Sequence, residues 1–147
     1  MPKLFPPSYF LGAVAFAVLA HILFPFPVII PSAVRIIGLL PILGGIALNL
    51  GADRQFKHYR TTVKPFKQSS ALVTDGVFRW SRNPMYLGMV LIVAGIALLE
   101  GTGIAWIAVA ALTLILDRAF IRREERMLEG TFGAEFEEYR QRTRRWL

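Results

Sequence analysis

"PMYLGMVLIVAGIALLEGTGIAWIAVAALTLIL", residues 84–116, carries a single charged side chain, Glu100, in the middle of an otherwise apolar stretch. It divides into two apolar runs, Pro84 to Leu99 and Gly101 to Leu116, with Glu100-Gly101-Thr102-Gly103 as the tight turn of a helical hairpin. Each run is slightly short of the roughly 20 residues a membrane-spanning helix needs. Flanking charges that snorkel, or local thinning of the bilayer, make up the difference. The residues just before the hairpin, "RWSRNP" (79–84), supply its start signal. Asn83 is a good N-cap type, and Pro84 suits the first helical turn, where its missing N–H costs nothing.

Upstream lie two further apolar runs. Tyr9 to Ile30 is uncharged and broken near its end by Pro25 and Pro27; Ser32 to Leu50 has Arg35 near its start and Pro41 inside. The 147 residues suffice for one domain, 1–147, yet 54% are apolar while the net charge is +7. A soluble core of this size cannot bury so much apolar surface, whereas a membrane protein with basic loops accommodates both values. No cysteine is present, which excludes disulfides, thiolate metal sites and cysteine nucleophiles. The two histidines, His21 and His58, lie in different segments, so no metal centre is expected. The basic residues follow apolar segments instead of forming one patch, which argues against nucleic acid.

Of the 17 Lys and Arg residues, seven fall between Gly51 and Arg82 and eight from Arg118 onward; with Lys3 they lie on one side of a four-pass arrangement, and only Arg35 lies on the other. The positive-inside rule then puts both termini and the central loop in the cytoplasm. The expected fold is an all-α, multi-pass bundle of four transmembrane helices. A short amphipathic C-terminal helix follows, in which Phe132, Phe136 and Tyr139 recur opposite Glu135, Glu137 and Glu138. That helix suits either the membrane surface or the end of the bundle, with Trp146 and its neighbouring arginines as headgroup anchors.

Polar chemistry collects in two cytoplasmic stretches, the loop from Thr61 to Tyr86 and "DRAFIRREERMLEG" (117–130). In the second, Phe120, Glu124, Met127 and Leu128 share one helical face, and Ile121, Glu125 and Leu128 another. The paired glutamates thus straddle an apolar stripe. Taken alone they also read as a solvated pair neutralised by Arg122, Arg123 and Arg126.

Together the two stretches are more specific. Leu72-Val73-Thr74-Asp75-Gly76, Arg82-Asn83-Pro84-Met85-Tyr86-Leu87-Gly88, Glu124-Glu125, and Phe132-Gly133 with Tyr139 stand in the order and spacing of one family. The chain from about Thr61 onward resembles the isoprenylcysteine carboxyl methyltransferases, a pattern shared with phospholipid methyltransferases. The resemblance implies an integral membrane enzyme that uses S-adenosylmethionine. It implies cofactor contacts at Ser70, Ala71, Leu72, Val73, Phe78, Asn83, Pro84, Met85, Tyr86 and Glu124 on the cytoplasmic side. This sequence departs from the pattern at three places. Asn83 stands where many members have histidine, and Phe78 where tyrosine is frequent. Phe120 stands one turn before Glu124, where some members keep a substrate-binding arginine, which leaves Arg118 and Arg122 as candidates for that role.

The chemistry fits these residue types. Glu124 or Glu125 can receive the cofactor's ammonium or ribose hydroxyls, and Arg82 can pair with a carboxylate of cofactor or substrate. Arg82 and Glu124 are therefore the expected catalytic pair. Tyr86, Phe78 and Trp80 can form an aromatic wall against a sulfonium. Methyl transfer needs no metal; it needs the nucleophile and the methyl held in line, about 3 Å apart. A dry pocket speeds the attack of a carboxylate on a sulfonium, because the two charges cancel; this mildly favours a carboxylate on a lipid-like or isoprenoid acceptor. Competing readings are a non-catalytic four-helix membrane protein or transporter, and a nicotinamide-dependent membrane reductase. A proton-coupled transporter normally needs a carboxylate inside a helix, and here the acids cluster at helix ends.

Overall fold

The computed structural model describes residues 5–24, 26–60 and 70–147, and every regular element within them is a helix. Five helices account for the fold. They are α1 (Pro6–Leu23), α2 (Ser32–His58), α3 (Pro84–Glu100), α4 and α5 (Ala134–Arg142). Helix α2 opens with one α-turn, Ser32–Arg35, and one 3-10 turn, Ile36–Gly38. Helix α4 is continuous from Ala105–Ile115 through a π-helical segment, Leu116–Ile121, into Arg122–Phe132. Lys3, Lys64, Lys67 and Pro25, which entered the charge count and the reading of the first run, lie outside the described residues.

Boundaries differ from the apolar runs for local reasons. The first run yields helix only to Leu23, because Phe24 precedes a proline and is extended (φ −124°, ψ 123°). The chain then crosses the α3–α4 turn, where the N–H groups of Ile29 and Ile30 both donate to the Gly101 carbonyl (2.8 and 3.1 Å). Helix α2 passes Leu50 and ends only at His58. Gly101, in the left-handed region at φ 72°, stops α3, and α4 restarts at Ala105 instead of Gly101.

Helices α1 and α2 are long and apolar enough to cross a membrane, with mean hydropathy 1.6 and 1.9 over their best windows, of which only 17% and 11% is buried. Helix α3 is shorter, at 17 residues. A core helix of a soluble protein would be mostly buried. Here Leu11, Leu19, Ile22, Leu40, Leu43 and Leu50 point outward.

Helix α3 is the centre of the bundle. One face packs on α2 through glycines seven residues apart on each helix: Gly38 against Gly95, and Gly45 against Gly88. A methyl at any of the four would collide with the opposing carbonyl or side chain, so the backbones touch only because these side chains are missing. The other face carries Tyr86, Met89, Val93 and Ala97 into a core shared with Ala17 of α1 and Ala108, Leu112 and Leu116 of α4. Buried positions on α4 run Ala105, Ala108, Leu112, Leu116, Phe120, Ile121 and Glu125. Phe120 and Ile121, adjacent in sequence, are both buried in the π-helical segment, whose wider turn holds one extra residue.

A second apolar cluster closes the end of the bundle where α3 begins. It holds Ala52 of α2, Val73, Phe78, and Phe136 and Tyr139 of α5. Phe136 and Tyr139 are buried, so α5 caps the bundle with two of the three residues of the stripe read from its sequence; Gly133, at φ 51°, breaks the helix and leaves Phe132 at the end of α4. Trp146, expected at headgroups, is half-buried against the core of α1, α3 and α4. Arg35 stands at the opposite end, its Nε donating to the Ile30 carbonyl (2.9 Å) beside Gly101.

Candidate functional site

Four pieces meet at the α3-start end: the segment 70–83, the start of α3, the extension of α4, and the tail after α5. The segment enters through a 3-10 turn, Gly76–Arg79, which Gly76 permits at φ 58°, where the Gln55 side chain leaves no room for a Cβ. Ser81 and Asn83 then bind the tail. The Ser81 hydroxyl and the Asn83 Nδ2 both donate to the Arg145 carbonyl (3.2 and 3.1 Å), and the Arg82 N–H donates to the Arg144 carbonyl (3.0 Å). Asn83 holds the N-cap position, and its carbonyl accepts from the Leu87 N–H. Its side chain makes no cap bond; its Nδ2 is turned to the Arg145 carbonyl instead. Pro84 occupies the first turn as its φ preference dictates.

The two glutamates face different partners. Glu125 is held by both arginines: Arg82 gives Nε and Nη2 to Oε1 (3.1 and 2.9 Å), and Arg145 gives Nε and Nη2 to Oε2 (3.1 and 2.6 Å). Arg82 further donates to the carbonyls of Arg140 and Thr143. Four of the five donors of a guanidinium are thus engaged inside the protein. Burial works to raise the Glu125 carboxyl, but the hydrogen bonds from Arg145 and Arg82 prevail and hold it below the usual carboxylate range. Glu124, half-buried, accepts from the Tyr86 hydroxyl at Oε1 (2.7 Å). Among the described residues nothing donates to its Oε2. Desolvation pushes its carboxyl above the ordinary value, the Tyr86 bond only partly opposing it.

A cavity of about 100 Å³ opens beside Glu124. Its apolar wall is Phe56, Leu72, Val73, Phe78, Leu128 and Phe136; its polar edge includes Asn83, Glu124 and Tyr139. The Tyr139 hydroxyl donates to the Phe78 carbonyl (2.7 Å), and burial pushes its pKa up. Of the residues expected at a cofactor, Ala71, Leu72, Val73, Phe78, Asn83, Glu124 and Glu125 line this one cavity, as does Arg82. Met85 packs in the apolar cluster beneath it, Pro84 is buried at the helix start, and Tyr86 reaches it through Glu124. Ser70 is exposed and outside the lining. Arg118 and Arg122 are also exposed and outside it, and Arg122 pairs with Asp117 (2.7 Å). Trp80, read as an aromatic wall, is 72% exposed and points away.

Sequence reasoning missed Arg145, Ser81, Phe56 and the Asp117 link, in which Arg145 Nη1 lies 3.4 Å from Asp117 Oδ1. The available signal was the repeated arginine of "RTRRW", which reads equally well as a membrane anchor.

Compared with known proteins, residues 33–135 match the model of a family described as phospholipid methyltransferase. An uncharacterized protein of Haemophilus influenzae is 41% identical over 63 residues, which is 43% of this chain and all of that relative. No solved structure matches the chain.

Proposed function

The chain belongs to the phospholipid methyltransferase family, and from that premise we propose that it transfers the methyl group of S-adenosylmethionine to a lipid-like acceptor at the membrane. The observation that carries this reading is Glu124. It is a half-buried carboxylate whose one bond among the described residues is from Tyr86, and it lies on the edge of an apolar, partly aromatic cavity. Such a carboxylate suits an ammonium or a pair of ribose hydroxyls. The remaining wall suits an adenine ring, with Phe56, Phe78 and Leu72 excluding water. At about 100 Å³ the enclosed part is smaller than the roughly 300–1,000 Å³ of ordinary ligand pockets, so it seats one end of the cofactor and leaves the rest at its mouth.

When bound, S-adenosylmethionine supplies an electrophilic methyl on a sulfonium. This chain's residues bind and orient. Glu124 fixes the cationic end, and Asn83, whose Nδ2 is spent on Arg145, offers its side-chain amide oxygen Oδ1 to a donor. Arg82 serves the reaction through Glu125, since its guanidinium is occupied. Arg118 and Arg122 lie outside the cavity, so the proposed acceptor approaches along apolar surface, sideways between helices. A carboxylate acceptor, isoprenoid-linked as in the isoprenylcysteine enzymes, gains most from a dry site because charge is cancelled in the transition state.

The proposed topology has four passes, with both termini and the site in the cytoplasm. It is supported by the separation of Arg35, beside Gly101, from the arginines at the other end of α3. The test is transfer of labelled methyl from S-adenosylmethionine into a total lipid extract by the purified protein. A labelled lipid identifies the acceptor. No transfer, with stabilisation by a reduced nicotinamide instead, would replace this reading with a reductase.

A further inference from the structure

Glu124 and Glu125 are neighbours of identical chemistry, yet they meet the cavity differently. The cause lies 20 residues downstream. Glu125 is 11% exposed at its side chain, and each of its oxygens is taken by one guanidinium through a pair of N–H bonds. The Arg82 half of this clamp is anchored by the carbonyls of Arg140 and Thr143. The Arg145 half is anchored by Asp117, whose other oxygen Arg122 neutralises at 2.7 Å. The Arg145 backbone is fixed as well, since its carbonyl takes both the Ser81 hydroxyl and the Asn83 amide.

Without Arg145, Oε2 of Glu125 loses both of its donors. Glu125 lines the cavity, so the released oxygen would turn toward it, beside Glu124. Two carboxylates on one wall repel each other and compete for one cation. We infer that Arg145 is a positioning residue, which holds Oε2 of Glu125 on its own guanidinium at the cavity wall and, with Arg82, cancels its charge, leaving Glu124 as the carboxylate presented to the ligand. The inference rests on the methyltransferase reading for the identity of that ligand alone.

Two measurements on the full chain in detergent test it. The first is carbodiimide coupling of a small amine, read residue by residue by mass spectrometry. Wild type should be labelled at Glu124 and protected at Glu125, and Arg145→Ala should become labelled at Glu125. The second is the dissociation constant of S-adenosylmethionine, at a temperature where the helical signal equals that of wild type. Arg145→Ala should bind roughly tenfold more weakly, about the loss of one charge-assisted contact. Arg145→Ala/Glu125→Gln should regain most of that loss, because the unmatched charge is gone. Arg145→Lys should fall between, since an ammonium cannot present two parallel donors.

A role confined to stability would lower the melting temperature of each variant and leave affinity and labelling unchanged; that result overturns the inference. So does Glu125 remaining unlabelled in Arg145→Ala, or a double variant that binds no better than the single one. Should Arg145→Ala fail to fold, Arg145→Lys carries the labelling test: partial reaction at Glu125 supports the inference and none overturns it. A wild-type protein that binds no S-adenosylmethionine sinks the methyltransferase reading, while the labelling pattern still decides the role of Arg145.

Discussion

Glu125 and Glu124 respond to acid in opposite directions. Glu125 is depressed below its ordinary 4.5 by two arginines, so its contribution to stability is full above that value and is lost as pH falls through the folded one. Glu124 is raised by desolvation, so its contribution is present below its ordinary value and is lost as pH rises through the folded one. Thermal unfolding followed against pH should therefore show a loss below about 4.5 in wild type that is flattened in Glu125→Gln. At neutral pH the same substitution should cost about 3 kcal/mol, the usual result of removing one partner from a buried pair. Both glutamates, with Arg82 and Tyr86, were named from the sequence through the motifs of the resemblance; taken alone, the glutamates read equally well as a solvated pair. Which glutamate is clamped was not legible. That depends on Arg145, 20 residues from Glu125 and 62 from Asn83, and no local pattern encodes the pairing.

Among the elements, the apolar runs announced helices α1 to α3 and the α3–α4 hairpin, and the Phe136–Tyr139 stripe announced α5. The π-helical segment Leu116–Ile121 carried no such signal, since no residue preference marks one extra residue in a helix. Its wider turn buries Phe120 and Ile121 side by side, one helical turn before Glu124 and Glu125. Close backbone contact between α2 and α3 was equally silent, because a glycine reads the same whether or not a neighbour abuts it. Gly44 and Gly45 separate the cases. A Cβ at Gly44 meets nothing within 4 Å, while one at Gly45 strikes the Gly88 carbonyl and Ile92. Gly44→Ala should be neutral or slightly stabilising, from helix propensity. Gly45→Ala should cost about 1–3 kcal/mol through overpacking. Melting temperatures of the pair in one detergent check this; equal values would mean the seam is looser than described.

For the whole molecule, apolar surface and charge agree on a membrane and on one basic end. Because the chain has no cysteine, single-cysteine variants report sidedness without background. Gly103, exposed at the α3–α4 turn, and Gln141, exposed on α5, lie at opposite ends of the bundle. Gly103→Cys should react with an impermeant maleimide in intact cells, and Gln141→Cys only after permeabilisation. Reaction of both from one side would end the four-pass topology. The central claim is that Glu124 is where this end of the bundle holds its cofactor, and equilibrium binding of S-adenosylmethionine tests it most directly. The comparison is wild type against Glu124→Gln, well below the melting transition. The account predicts binding by wild type and a loss of about 1.5–3 kcal/mol in the variant, the worth of a hydrogen bond to a charged group, with no loss of stability. Equal affinity in the two proteins would contradict it.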